Sequence, residues 1–269
     1  MKIACCAAGL AALMTLAAGA QSPAPTDQDR EAIRQAAYDY AEGYYEGAAE
    51  RMARAVHPAL VKRGVVTRPG FGSLLVPMNA VTLVEATRNG GGKTTPPDTR
   101  GLFFALLDLR ADVASARIFT VGFNDYLHLV KQDGAWRIAH VLWQPPSPTG
   151  AANADADTAA VTKAVTDLVA ALSGSDAARI EPLVHPEAAL RSLRPSPASG
   201  QTFITEGNRD SIMAAAAAKA VPPMIGAESR VLDVYDTIAS AVTTTGATVY
   251  YWHLAKQKDQ WRVVNLLRR

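Results

Sequence analysis

The residues of this chain that could carry chemistry are five histidines, a group of tyrosines on one helix and a few isolated aspartates. His140 is the sharpest candidate. A hairpin turn centred on Asp133-Gly134 would put Leu127, Leu129, Trp136, Ile138, His140 and Leu142 on one face of two paired strands. That face is an apolar wall holding one imidazole, which is how a small-molecule pocket is composed. An imidazole there can exchange a proton near neutral pH as general acid or base. The commoner use of such a histidine is in the core, bonded to a backbone carbonyl or a tyrosine, and the residues alone favour that use. Tyr40 and Tyr44 lie on the apolar stripe of the first helical segment, where they can line a cavity or stack on a flat ring, although core packing is the commoner role. The expected ligand-binding set is therefore Tyr40, Tyr44, Trp136 and His140, with His140 the only catalytic candidate.

The other candidates have plainer readings. Asp39, Asp108 and Asp125 are the first-half carboxylates nearest these elements, and an isomerase would need one of them as base beside a tyrosine or carboxylic acid. No spacing puts any of them inside a cavity, and Asp108 and Asp233 read as hairpin-turn residues. His128 and His253, with Tyr126 and Tyr251 beside them, read as a polar sheet face. His57 and His185 each precede a proline at a helix exit. Gly90-Gly91-Gly92-Lys93-Thr94 mimics the end of a phosphate loop, but Thr87 stands where its first glycine belongs and the stretch follows a helix. No nucleophile-elbow, zinc-protease or zinc-ligand spacing occurs. No cofactor and no metal are expected.

The elements that position these residues come in two copies. Tyr126 to Leu142 returns as Tyr251 to Leu267 with eight of seventeen positions identical, so the chain is an internal repeat. Ile33, Ala37, Tyr40, Ala41 and Tyr44 form a helical stripe behind Asp29, a plausible N-cap, and the stripe recurs 128 residues later at Val161, Val165, Leu168, Val169 and Leu172. The two His-Pro exits are also 128 apart. Third helices are predicted over Val76 to Arg88, with Pro77 in the first turn, and over Thr205 to Lys219. Strands follow at Leu102 to Leu109 and Val113 to Val121, answered by Arg230 to Val234 and Ile238 to Thr245. About three helices on one face of a curved antiparallel sheet make an α+β cone with room for a cavity. His140 is matched by Asn265, which cannot exchange a proton near neutral pH, so any chemistry would be confined to the first half.

Lys2, the apolar run Ile3 to Ala20 and its Ala18-Gly19-Ala20 ending read as a cleaved signal peptide, which implies a secreted or periplasmic protein. Both cysteines, Cys5 and Cys6, lie inside it, so the mature chain would have neither disulfide nor thiolate. The predicted organisation is signal peptide 1–20, disordered leader 21–28, first domain 29–144, linker 145–156 and second domain 157–269. With 27 basic and 25 acidic residues there is no basic footprint for nucleic acid. No apolar run after the signal is long enough to span a bilayer.

The His57-Pro58 exit, Asp108 with Val113-Ala114-Ser115-Ala116, and Phe123 to Lys131 leading into Gly134-Ala135-Trp136-Arg137-Ile138 resemble the nuclear transport factor two-like superfamily, and within it the lumazine-binding family. The second half resembles it more loosely and lacks the hairpin glycine. The resemblance implies two tandem cystatin-like domains, packed sheet against sheet as an internal pseudo-dimer. It also implies a small flat-ring ligand such as a pterin or flavin. The favoured expectation is an exported, non-catalytic ligand-binding or accessory protein with its site in the first-half cone. One alternative is a cofactor-free isomerase or hydro-lyase acting on a ring or enolisable carbonyl, with His140 as base and a helix-one tyrosine as electrophile. The other is a structural module with filled cavities.

Overall fold

Thr26 starts the first helix. Its hydroxyl accepts the Asp29 backbone N–H at 3.1 Å, while the Asp29 carboxylate accepts the Thr26 N–H at 3.0 Å, a reciprocal cap that satisfies two orphan donors. Asp29, expected as the N-cap, is therefore the third residue of α1 (Asp27–Glu46), and the helix begins inside the stretch expected to be leader. The computed structural model describes residues 24–68, 70–147 and 154–269. The expected signal peptide and the middle of the expected linker lie outside them.

The first unit continues with α2 (Ala49–Ala55), β1 (Val56–Arg68), β2 (Gly72–Asn79), α3 (Ala80–Arg88), β3 (Phe103–Arg110), β4 (Val113–Phe119), β5 (Asn124–Gln132) and β6 (Ala135–Gln144). The second repeats it as α4 (Ala154–Ser173), α5 (Ala177–Ile180), β7 (Val184–Pro195), β8 (Thr202–Asn208), α6 (Arg209–Ala217), β9 (Glu228–Tyr235), β10 (Ile238–Thr245), β11 (Thr248–Gln257) and β12 (Gln260–Arg268). The two six-stranded sheets run β2-β1-β6-β5-β4-β3 and β8-β7-β12-β11-β10-β9. The chain is thus α+β, two tandem cystatin-like domains. Each sheet contains one parallel pair, β1 with β6 and β7 with β12, so neither is wholly antiparallel. The third helices are shorter than expected. Pro77 lies inside β2 rather than in the helix, and Asn79 caps α3 with its side chain, because an Asn offers the Thr82 N–H an acceptor that Val76 lacks.

The hairpin joining β5 and β6 turns at Asp133 and Gly134, both with positive φ, and its counterpart turns at Lys258 and Asp259 with the same signs. Two positive φ values match the twist of paired strands. The expected face assignment then fails at one residue. His128 pairs with His140 and Leu129 with Ile138, leaving Ala139 as an extra residue on β6. Such a bulge reverses the alternation beyond it. Ile138 and Val141 face the first-domain core, whereas Ala139, His140 and Leu142 face the other domain. The second domain has the same bulge at Val264.

The two sheets meet on these reversed faces. His128 stacks on His253 with ring centroids 3.5 Å apart, and Ser115 meets Ser240 at 2.9 Å. The Tyr126 hydroxyl donates to Asp233 and the Tyr251 hydroxyl to Asp108, each at 2.7 Å, as an approximate twofold relation requires. Asp108 and Asp233 were expected at exposed turns. They lie within β3 and β9 instead and also accept from Arg230 and Arg117. Replacing Asp233 with alanine leaves the buried Tyr126 hydroxyl without its acceptor. It should lower unfolding free energy by about 1–3 kcal/mol, read from the urea midpoint at constant slope. An unchanged midpoint would mean that the interface does not depend on this bond.

Candidate functional site

The cone of the first domain opens into a cavity of about 390 Å³. Helix α1 supplies Tyr40, Tyr44 and Tyr45, and β1 supplies Lys62, while Phe123 and Trp143 line it at the start of β5 and the end of β6. Tyr40 sits on the inward stripe of α1 and is 2% exposed. Tyr45 is held by a hydrogen bond to Thr120 at 2.7 Å and stacks on Phe123 at 5.6 Å. The glycine run that mimics a phosphate loop closes one side. A Cβ on Gly91 would lie 2.3 Å from the Tyr44 carbonyl oxygen, so only glycine lets this loop approach α1 so closely.

The polar centre of the cavity is a cluster on three elements. The Tyr40 hydroxyl donates to Asp125 Oδ2, and Lys62 Nζ donates to the Tyr40 oxygen and, at 3.2 Å, to Asp125 Oδ2. Asp125 is fully buried and Lys62 is 7% exposed. Burial pushes the Lys62 amine below and the Asp125 carboxyl above their ordinary ranges, and each is opposed by the other's charge. Burial and then the Asp125 charge push the Tyr40 hydroxyl well up, so it remains a donor. An ammonium has three donors, and two are used within the cluster. The third remains for a ligand in the cavity. The Lys62 nitrogen also lies 5.1 Å from the ring centres of both Tyr40 and Trp143, where aromatic faces favour a cation. Asp125 Oδ1 is buried with no hydrogen-bond partner among the described residues. The Tyr44 hydroxyl is pushed up by burial and lines the same cavity.

Of the four residues read from the sequence, the structure brings Tyr40 and Tyr44 together at this cavity. It places the other two elsewhere. Trp136 is in the closed end of the core, where its indole N–H donates to Asp29 at 2.9 Å. Lys131 donates to the same carboxylate at 2.6 Å and, with Trp136, holds it well below its ordinary range. His140 lies on the sheet–sheet interface, turned there by the bulge, with its Nδ1 3.3 Å from His128 Nδ1. Among the described residues no carboxylate is hydrogen-bonded to it. The expected acid–base site at His140 therefore does not form.

Lys62 escaped the sequence reading, yet the repeat contains the signal. Its counterpart 128 residues on is Leu190, and Tyr40 corresponds to Leu168. Asp125, which pairs with Trp143, corresponds by register to Tyr250, which pairs with Arg268. A charge on one copy of an otherwise apolar strand face marks a position the fold does not require to be charged.

A family model described as "Putative lumazine-binding" matches residues 28–144. A comparison with curated proteins found no match. Among solved structures, a nuclear transport factor two-like protein of unknown function from Silicibacter pomeroyi is 15% identical, covering 46% of this chain and 100% of that one at a TM-score of 0.37. One from Shewanella baltica is also 15% identical, with 43% and 94% covered and a TM-score of 0.35. A cystatin-like protein from Burkholderia xenovorans is 17% identical, with 43% and 92% covered and a TM-score of 0.34. Residues 28–144, the first unit, are thus similar to that family, and residues 154–269 repeat the fold of the first unit.

Proposed function

We propose that the protein binds a small, flat, hydrogen-bond-accepting ring compound, of pterin, lumazine or flavin type, in the first-domain cavity. One observation carries this reading. Lys62 and Tyr40 line the first cavity with Asp125 hydrogen-bonded behind them, while the sister domain keeps the same fold with Leu190, Leu168 and Tyr250 at those positions. Burying an ion pair costs several kcal/mol of desolvation per ion, and apolar replacements often match it in stability. A cluster the fold does not need is best explained by what it contacts. The spare Lys62 donor suits a ring carbonyl or ring nitrogen, and Phe123, Trp143 and Tyr44 suit the faces of the ring.

The test is a thermal-shift screen of the intact protein against lumazine, pterins and flavins. A ligand at a hundred times its dissociation constant adds about 2.7 kcal/mol to stability. The shift should vanish in Lys62→Met and persist in His140→Gln. If no ring compound shifts wild type, or if Lys62→Met binds as well, the reading is wrong.

The unpartnered Asp125 Oδ1 and its raised carboxyl favour one second reading, a cofactor-free isomerase or hydro-lyase. Tyr40 and Lys62 would then stabilise a developing oxyanion, with Asp125 rather than His140 as the proton acceptor. Turnover of a bound ring compound that is lost in Asp125→Asn, with binding retained, would distinguish it from simple binding. The export reading rests on Lys2 and the apolar run to Ala20. Amino-terminal sequencing of the protein from its host should begin at Gln21.

A further inference from the structure

The second domain has its own cavity, and its chemistry is different. It measures about 250 Å³, and its interior is lined by Leu168, Leu172, Leu190, Trp252 and Val263. None of the residues lining it is acidic. Lys62 has become Leu190, so no charge remains at the depth where the first cavity carries its cluster.

The charge has moved to the rim. Arg268 stands where the first domain has Trp143, and Arg194 where it has Val66. Arg268 pairs across the β12–β7 boundary with Ser192, and Arg194 is two residues further along β7, on the same pleat face as Ser192 and Leu190. Both guanidiniums therefore border one cavity. Arg268 lies over the Tyr250 ring at 5.5 Å, and Arg194 is exposed. Among the described residues neither arginine has a hydrogen-bond or ion-pair partner, whereas Arg191 beside them is paired with Glu206 at 2.9 Å. Two unpaired forked cations on the lip of an apolar hole match a ligand with an apolar body and one anionic head.

We infer that the second cavity is a separate binding site for an amphipathic organic anion, its alkyl body among Leu168, Leu172 and Trp252 and its carboxylate on Arg268 and Arg194. The site does not depend on the first cavity. One chain would then hold two unlike ligands, a flat ring in one domain and an acyl-type anion in the other.

Calorimetric titration of the intact protein with decanoate tests this, with decanol and sodium sulfate as controls. Decanoate should bind with a stoichiometry of one, and decanol and sulfate at least roughly tenfold more weakly. The Arg194→Gln/Arg268→Gln variant should lose roughly tenfold in decanoate affinity. Lys62→Met, which empties the first cavity of its cation, should leave that affinity unchanged. The inference is overturned if decanoate does not bind or if decanol binds equally well. It is overturned equally if the arginine variant keeps full affinity, or if Lys62→Met abolishes decanoate binding.

Discussion

Lowering the pH from 7.5 to 5.5 is expected to reduce the unfolding free energy by about 4 kcal/mol, because three histidines sealed between the sheets must fold uncharged. His128, His140 and His253 are all fully buried. Burial is the largest cause holding each below the ordinary histidine range. The neighbouring imidazoles add to it at His128, and Arg191, His253 and Arg63 add to it at His140. Stacked rings 3.5 Å apart cannot both be charged, and each Nε2 is buried without a partner among the described residues. The sign follows from proton uptake. Below about pH 6.5 the unfolded chain binds protons that the folded chain refuses, so stability falls as pH falls. Each group contributes about 1.4 kcal/mol over this window. Carboxylates titrate mainly below it, near pH 4 in unfolded chains. Asp125, raised by burial, works in the opposite direction, whereas the half-buried His57 and His185, also lowered by burial, add to the loss. Urea unfolding at the two pH values measures the loss, and His253→Gln should remove about a third of it. Equal midpoints at both pH values would show that the histidines already titrate normally, with water between the sheets.

The fold was legible because it is written as a repeat. The helical stripes, the His-Pro exits, the hairpin turns and the shared Tyr-x-His face each occur twice, and each follows from period and turn chemistry. The covered polar face at His128 and His253 was read correctly for that reason. What failed was local. Nothing in Arg137-Ile138-Ala139-His140 marks Ala139 as unpaired, because a bulge is a property of two strands in register rather than of one strand's composition. One extra residue moved His140 and Leu142 from the cavity to the interface. Asp108 and Asp233 were misread because an aspartate near a strand end suggests a turn, whereas here they accept from tyrosines of the other domain, 143 and 107 residues away in the chain. The site was half legible. Tyr40 and Tyr44 could be placed by helical spacing alone. Lys62 lies on a strand whose pairing runs parallel to β6, a neighbour 79 residues on, and only that contact brings it beside Asp125.

Removing one member of the Lys62–Asp125 pair is expected to be the most destabilising single change in the first domain. Asp125→Ala leaves the Lys62 ammonium in an aromatic cavity without a counter-charge and strips the Tyr40 hydroxyl of its acceptor. Breaking a buried pair in this way costs about 3–5 kcal/mol. Replacing the whole cluster is a different experiment. Tyr40→Phe/Lys62→Met/Asp125→Val removes both charges and the hydroxyl together, leaves none of the cluster's own polar atoms unsatisfied and puts a β-branched residue on β5. The sister domain already folds with Leu168 and Leu190 at two of these positions. The triple variant should therefore unfold within about 1 kcal/mol of wild type, or above it, while the single variant falls well below. Urea titration at pH 7 reads both, and the ring-compound thermal shift should be absent in the triple variant. If instead the triple variant is as unstable as Asp125→Ala, the cluster serves folding and the argument for a ligand loses its footing. If the single variant is as stable as wild type, Lys62 must already sit uncharged, and it would be the free amine rather than the ammonium that meets whatever enters the cavity.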